Sequence, residues 1–126
     1  MARRSYNKLV RDKVPTAIVQ GGDEAITSVL EDKEEILFAL DEKLDEEVCD
    51  YQVTKEMAEL ADVLEVIHAI AEANGITFEE LDQIRLHKRE TRGGFTKMIL
   101  LEESSSERCA PTGRRFSSVL CVVIIR

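Results

Sequence analysis

The sequence predicts an all-α fold, an antiparallel helical bundle that carries a small two-stranded β-ribbon. Three observations lead there. Apolar residues recur at helical spacing along two long stretches, at Leu37, Leu40, Leu44, Val48 and Tyr51 and again at Met57, Leu60, Leu64, Ile67 and Ala71. Helix-start signals stand in front of such stretches: Asp32 with Glu35 behind it, and Thr77 with Glu80 behind it. Within residues 1–103, only two short segments, 25–30 and 95–101, have β character. The length of 126 residues suits one domain, and 44% apolar with 33% charged residues is globular composition, not the low hydrophobicity of disorder.

Taken in order, residues 8–20 read as a short first helix with Pro15 in its opening turns, stopped by Gly21-Gly22. Ala25 to Leu30 alternates Ile26 and Val29 with Thr27 and Ser28, the pattern of a strand. Asp32 then caps a long helix that reaches about Tyr51. A short break at Gln52-Val53-Thr54-Lys55 offers Thr54 as the next N-cap. The following helix, from about Lys55 to Ala73, has Val63, Val66 and Ile70 beside its main stripe. It is apolar over so much of its surface that it should be largely buried. Asn74-Gly75 stops it, with Ile76 placed for the apolar contact of a C-cap. Thr77-Phe78-Glu79-Glu80 is a capping box opening a last helix to about Glu90. Arg92-Gly93-Gly94-Phe95 ends that helix, and residues 95–101 read as a strand pairing with 25–30.

Residues 1–103 form the expected domain, and 104–126 a tail of different character. Ser104-Ser105-Ser106 resembles a linker, and the last residues, Val119 to Ile125, are uncharged and rich in β-formers. Three readings of the tail stay open: an added strand, an interface segment, or sequence foreign to the domain such as a shifted reading frame.

The formal charge of −8 is unevenly spread. Residues 1–13 carry a net +4, residues 23–62 a net −12, residues 63–103 a net −3 and residues 104–126 a net +3. The overall sign argues against binding polymeric nucleic acid. No apolar run is long enough to span a membrane, and no secretory signal is expected at the N-terminus. The three cysteines, Cys49, Cys109 and Cys121, are too few and too scattered for a disulfide framework or a zinc site. A cytoplasmic setting with reduced thiols is the expectation.

Within the acidic segment, Glu47 and Asp50 stand three residues apart on one helix, and Glu59 and Asp62 repeat that spacing on the next. Residues at that spacing are neighbours on one helix face. The short break between the helices makes them an antiparallel hairpin, so the two pairs can face each other. Carboxylates gathered in this way repel unless a cation lies among them. Hard divalent cations take oxygen ligands, and Mg²⁺ retains positions for water and phosphate. Two readings follow, a solvated acidic face or a Mg²⁺ or Mn²⁺ site open to a polyphosphate. Glu59 and Asp62 favour the second, because they interrupt an otherwise apolar helix where a bare carboxylate is costly.

The pattern Glu47-x-x-Asp50 followed by Glu59-x-x-Asp62 resembles the all-α nucleoside triphosphate pyrophosphohydrolases, the MazG-like superfamily that includes phosphoribosyl-ATP pyrophosphohydrolase. The opening Tyr6-Asn7-Lys8-Leu9-Val10-Arg11-Asp12-Lys13-Val14-Pro15 is similar to the start of a phosphoribosyl-ATP pyrophosphohydrolase-like subgroup. So are Glu59-Leu60-Ala61-Asp62-Val63-Leu64-Glu65-Val66 and Lys88-x-x-x-Arg92-Gly93-Gly94-Phe95. The resemblance covers about residues 6–103.

It implies cleavage between the α and β phosphates of a nucleotide, giving a nucleoside monophosphate and pyrophosphate, with house-cleaning of non-standard nucleotides as one role. It implies Mg²⁺ held by Glu47, Asp50, Glu59 and Asp62, with Glu46 as a neighbouring base or supporting residue. Asp50 departs from the Glu more common in the family; one methylene shorter, it would reach a metal directly or through water. Lys8, Arg11, Lys13, Lys88 and Arg92 are candidates for phosphate contact, or for salt bridges to the acidic helices. Gly93 and Gly94 could let a phosphate approach the backbone, or simply cap the helix. The resemblance also implies a dimer or tetramer. Phosphoribosyl-ATP is the alternative substrate, and a non-catalytic nucleotide-binding or interaction module is the alternative outside enzymes. His68 reads as a core or interface residue, His87 as exposed, and Cys49 as packing.

Overall fold

In a computed structural model of the chain, residues 3–105 are described. Four helices follow in order: α1, Val14–Gln20; α2, Lys33–Thr54; α3, Met57–Ala73; and α4, Phe78–Arg92. The all-α class is thus present. The chain divides after Lys88 into two units, so α4 runs across the boundary.

The first helix is shorter than expected. A helix begun at Lys8 would place Pro15 in its interior, where the missing N–H and the ring break the ladder. The helix instead starts at Val14, with Pro15 in its first turn, where no donor is needed. It closes at a positive-φ Gly22, with the Gly22 N–H on the Val19 carbonyl and the Asp23 N–H on that of Ile18.

Helix α2 begins as the capping signal requires: the Asp32 carboxylate accepts from the Glu35 N–H at 3.1 Å. It extends to Thr54, past the expected end. Lys55, in the left-handed conformation at φ 60°, stops it by donating its N–H to the Tyr51 carbonyl at 2.7 Å. Thr54 does not cap α3; its hydroxyl oxygen accepts from the Glu56 N–H within the turn. Lys55 and Glu56 alone separate α2 from α3. So short a turn folds the helices back on each other, and α2 and α3 pack side by side.

Their packing is uneven. Leu40 on α2 (7% exposed) and Val66 and Ala71 on α3 (7% and 4%) are the buried apolar residues among those described. The expectation that α3 is largely buried fails over its first half. Met57, Leu60 and Leu64 form an exposed stripe there, and among the described residues α2 is the helix that packs on α3.

The far end of α3 is well closed. The Gly75 N–H donates to Glu72 and the Ile76 N–H to Ala71, both at 3.0 Å, with Gly75 at φ 79°. Only a residue without Cβ adopts that φ without strain. Ile76 then joins Ile67, Ile70, Ala71 and Leu81 around an apolar hollow of about 270 Å³. Helix α4 opens on the expected capping box: the Glu80 N–H reaches the Thr77 hydroxyl at 3.1 Å, and the Thr77 N–H the Glu80 carboxylate at 3.3 Å. His68 stacks on Phe78 with ring centroids 3.7 Å apart.

The β-ribbon is not formed; no strand occurs among the described residues. Ile26 and Val29 are 82% and 86% exposed, so segment 25–30 has no apolar face buried to fix it as a strand. In the second unit, Met98 takes φ 49° and its N–H turns back onto Phe95, which interrupts an extended run. Gly93 at φ 86° ends α4 with its N–H on the Arg89 carbonyl, the C-cap reading of that glycine. The tail beyond residue 105, with Cys109 and Cys121, lies outside the described residues.

Candidate functional site

Helical spacing and the tight turn after Thr54 bring the predicted carboxylates together near the turn end of the α2–α3 hairpin. Carboxylate oxygens of Glu47, Glu59 and Asp62 lie within 4.8 Å of one another, and so do those of Glu46, Glu47 and Asp50. Glu47 belongs to both groups. It is the buried charged side chain of the described residues, 9% exposed. Lys43, one turn earlier, keeps that charge tolerable: its ammonium lies 3.2 Å from Glu47 and 3.2 Å from Glu46.

Of the five basic candidates, Lys8 and Arg11 are seen on these acids. The Lys8 ammonium donates to Glu46 at 2.7 Å, and the Arg11 guanidinium to Asp62 at 2.5 Å. The salt-bridge reading of these two residues therefore describes the chain as it stands. Lys13 precedes α1 with an exposed side chain. Lys88 and Arg92 are exposed toward the end of α4, and Arg92 belongs to the second unit.

The acids divide electrostatically. The Lys8 hydrogen bond, reinforced by Lys43, holds the Glu46 carboxyl below its ordinary value. The reciprocal bond to Glu46 raises the Lys8 ammonium, with Glu47 and Asp50 adding to it. Glu59 moves the other way. Desolvation and the charges of Asp50 and Asp62 push its carboxyl up, with the Asp62 hydrogen bond and Glu47 adding to that. A depressed carboxyl is a weak base, so Glu46 in this state is poorly suited to take a proton from water. No sequence signal foretold that difference, because it depends on which base folds onto which acid.

The donor set fits a hard cation. All candidate ligands are oxygens, and an octahedral Mg²⁺ with bonds of about 2.1 Å spaces its ligands roughly 3 to 4.2 Å apart. Trios within 4.8 Å need only small side-chain shifts to share an ion. Cys49 does not pack, as expected from sequence, but is exposed and free. It lies two positions beyond Glu47, on a different face of the helix. No protein-family model matches the chain, and no curated protein and no solved structure matches it.

Proposed function

We propose that the chain is a Mg²⁺-dependent nucleoside triphosphate pyrophosphohydrolase that cleaves the α–β phosphate bond to give a nucleoside monophosphate and pyrophosphate. The observation that carries this reading is the convergence of five carboxylates from two helices, with Glu47 common to both trios. The MazG-like pattern of the sequence gives it a reaction. Glu47, Asp50, Glu59 and Asp62 would hold the metal, which supplies charge neutralisation of the triphosphate and activation of water. Glu47, held by Lys43, fixes the middle of the site. Glu46 orients Lys43 and Lys8, and Lys8 and Arg11 offer positive charge to phosphate oxygens. Lys13, exposed just before α1, is a third basic side chain of this unit on offer to phosphate. Water as nucleophile requires no serine or cysteine.

The exposed apolar stripe of Met57, Leu60 and Leu64 supports assembly as a dimer or tetramer of MazG-like bundles. No helix among the described residues is long and apolar enough to cross a membrane, and the reading places the enzyme in the cytoplasm. A second reading, a helical nucleotide-binding module without turnover, is favoured by one observation: Lys8 and Arg11 already neutralise Glu46 and Asp62.

The test is a panel of ribo- and deoxyribonucleoside triphosphates, with phosphoribosyl-ATP included, incubated with Mg²⁺ or Mn²⁺ and assayed for pyrophosphate. Release from any member, lost in Glu59→Gln, is the expected result. No release from any member overturns the enzyme reading, and calorimetry with a non-hydrolysable triphosphate then tests the binding module.

A further inference from the structure

The arm before α1 sits on the carboxylates of α2 and α3 through side chains far away in sequence. Lys8 reaches Glu46 and Arg11 reaches Asp62, so the arm touches one acid from each helix. Elsewhere it is weakly held: residues 3–13 are exposed apart from the half-buried Leu9. Asn7, at φ 48°, bends the backbone immediately before Lys8, a conformation that Asn tolerates better than most residues. The Lys8 ammonium also lies 5.8 Å from the centre of the Tyr6 ring, a contact internal to the arm. Two cations thus already occupy positions on Glu46 and Asp62, carried on a segment held otherwise by the half-buried Leu9 and an exposed Arg3–Glu24 ion pair.

We propose that residues 3–13 form an electrostatic latch whose Lys8 and Arg11 act as built-in counter-ions of the acidic site, making it select a divalent cation that arrives with a polyphosphate over the bare cation. The inference rests on the metal reading above and adds to it the choice between the two forms of the ligand. A bare cation competes with Arg11 for Asp62 and sets its charge against the Lys8 ammonium on the neighbouring Glu46, with nothing to offer either in return. A metal–polyphosphate complex competes in the same way but offers its own anion in exchange. The ammonium and guanidinium then move from carboxylate to phosphate oxygens, and no charge is stranded. Exposed ion pairs of this kind are weak enough to exchange, and two of them correspond to about a 2- to 30-fold effect on binding.

Titration calorimetry of the full chain and its Lys8→Gln/Arg11→Gln double variant tests this, with Mn²⁺ alone and with Mn²⁺ plus inorganic tripolyphosphate as probes. Both side chains are largely solvent-facing, and far-UV circular dichroism verifies that the variant is folded. The expected result is a change of opposite sign. The variant binds bare Mn²⁺ about 2- to 30-fold more tightly than the unaltered chain, and the tripolyphosphate complex more weakly. Trypsin cleavage after Lys13 in the unaltered chain gives a second readout, faster with saturating Mn²⁺ than with the tripolyphosphate complex. Bare Mn²⁺ bound equally by both proteins, or less tightly by the variant, overturns the latch and leaves the metal site standing. No Mn²⁺ bound by either protein in either form overturns both.

Discussion

The two ends of the α2–α3 hairpin use the same pair of helices for opposite purposes. Away from the turn, Val66 and Ala71 are buried, Ile76 folds back toward the hollow, and the Gly75 closure satisfies the backbone. Near the turn, five carboxylates crowd together while Met57, Leu60 and Leu64 stay exposed. One end lowers the free energy of the chain by itself. The other holds like charges at a distance where repulsion costs stability, relieved in part by Lys43, Lys8 and Arg11. Such a conflict between local stability and local arrangement is the usual mark of a place shaped for binding.

Substitutions at the two ends should separate these roles. The largest effect on stability is expected from Leu40→Ala, which opens a cavity in a core of few buried residues: about 2–5 kcal/mol lost, measured by urea unfolding. Glu59→Gln should do the reverse. On the pyrophosphohydrolase reading, pyrophosphate release should fall about 100-fold, the upper end of the range for groups that support a metal site. The thermal midpoint of the metal-free protein rises, because a carboxyl held up by desolvation and repulsion no longer has to ionise. A Glu59→Gln protein that melts lower than the unaltered chain would refute the assignment of strain to the acidic end.

Acid titration sharpens the contrast. The folded-state value of Glu46 lies below its ordinary 4.5. Its contribution is therefore fully present above about 4.5 and is lost as the pH falls through the depressed value. Glu59 is raised above 4.5, so its penalty is absent below that pH and grows as the pH rises through the raised value. Glu46→Gln should flatten the acid-side loss of stability, and Glu59→Gln should remove the penalty on the neutral side; circular-dichroism melts across about pH 3–7 distinguish them. The smallest effect is expected at the helix start. Asp32→Ala removes one capping hydrogen bond and should cost about 1 kcal/mol without altering metal affinity.

What the sequence made legible were features governed by neighbouring residues. The Asp32 cap, the Thr77–Glu80 capping box, the Gly75 closure and the pairing of Glu47 with Glu59 and Asp62 all follow from spacings within a helix or across one short turn. The ribbon was misread because β-branched alternation at Ile26 and Val29 specifies a strand only if a face is buried, and none is. The burial of α3 was overread for a related reason: an apolar stripe gives a helix an apolar face without saying that another element lies over it. Which base meets which acid was not readable at all. Lys8 and Glu46 are 38 positions apart, and Arg11 and Asp62 are 51 apart.

The turn at Lys55 and Glu56 also acts as a gauge of rotational phase. Each residue of an α-helix advances the side-chain direction by about 100°. One residue inserted after Lys55 would leave both helices and every carboxylate in the sequence, yet swing Glu59 and Asp62 about 100° away from Glu47 if α3 kept its axis and depth. The left-handed φ of 60° at Lys55 is the setting of that gauge. Natural length variation should therefore be tolerated in the loop before Asp32 and excluded between Thr54 and Met57, where a single codon would dismantle the site without removing any of its parts.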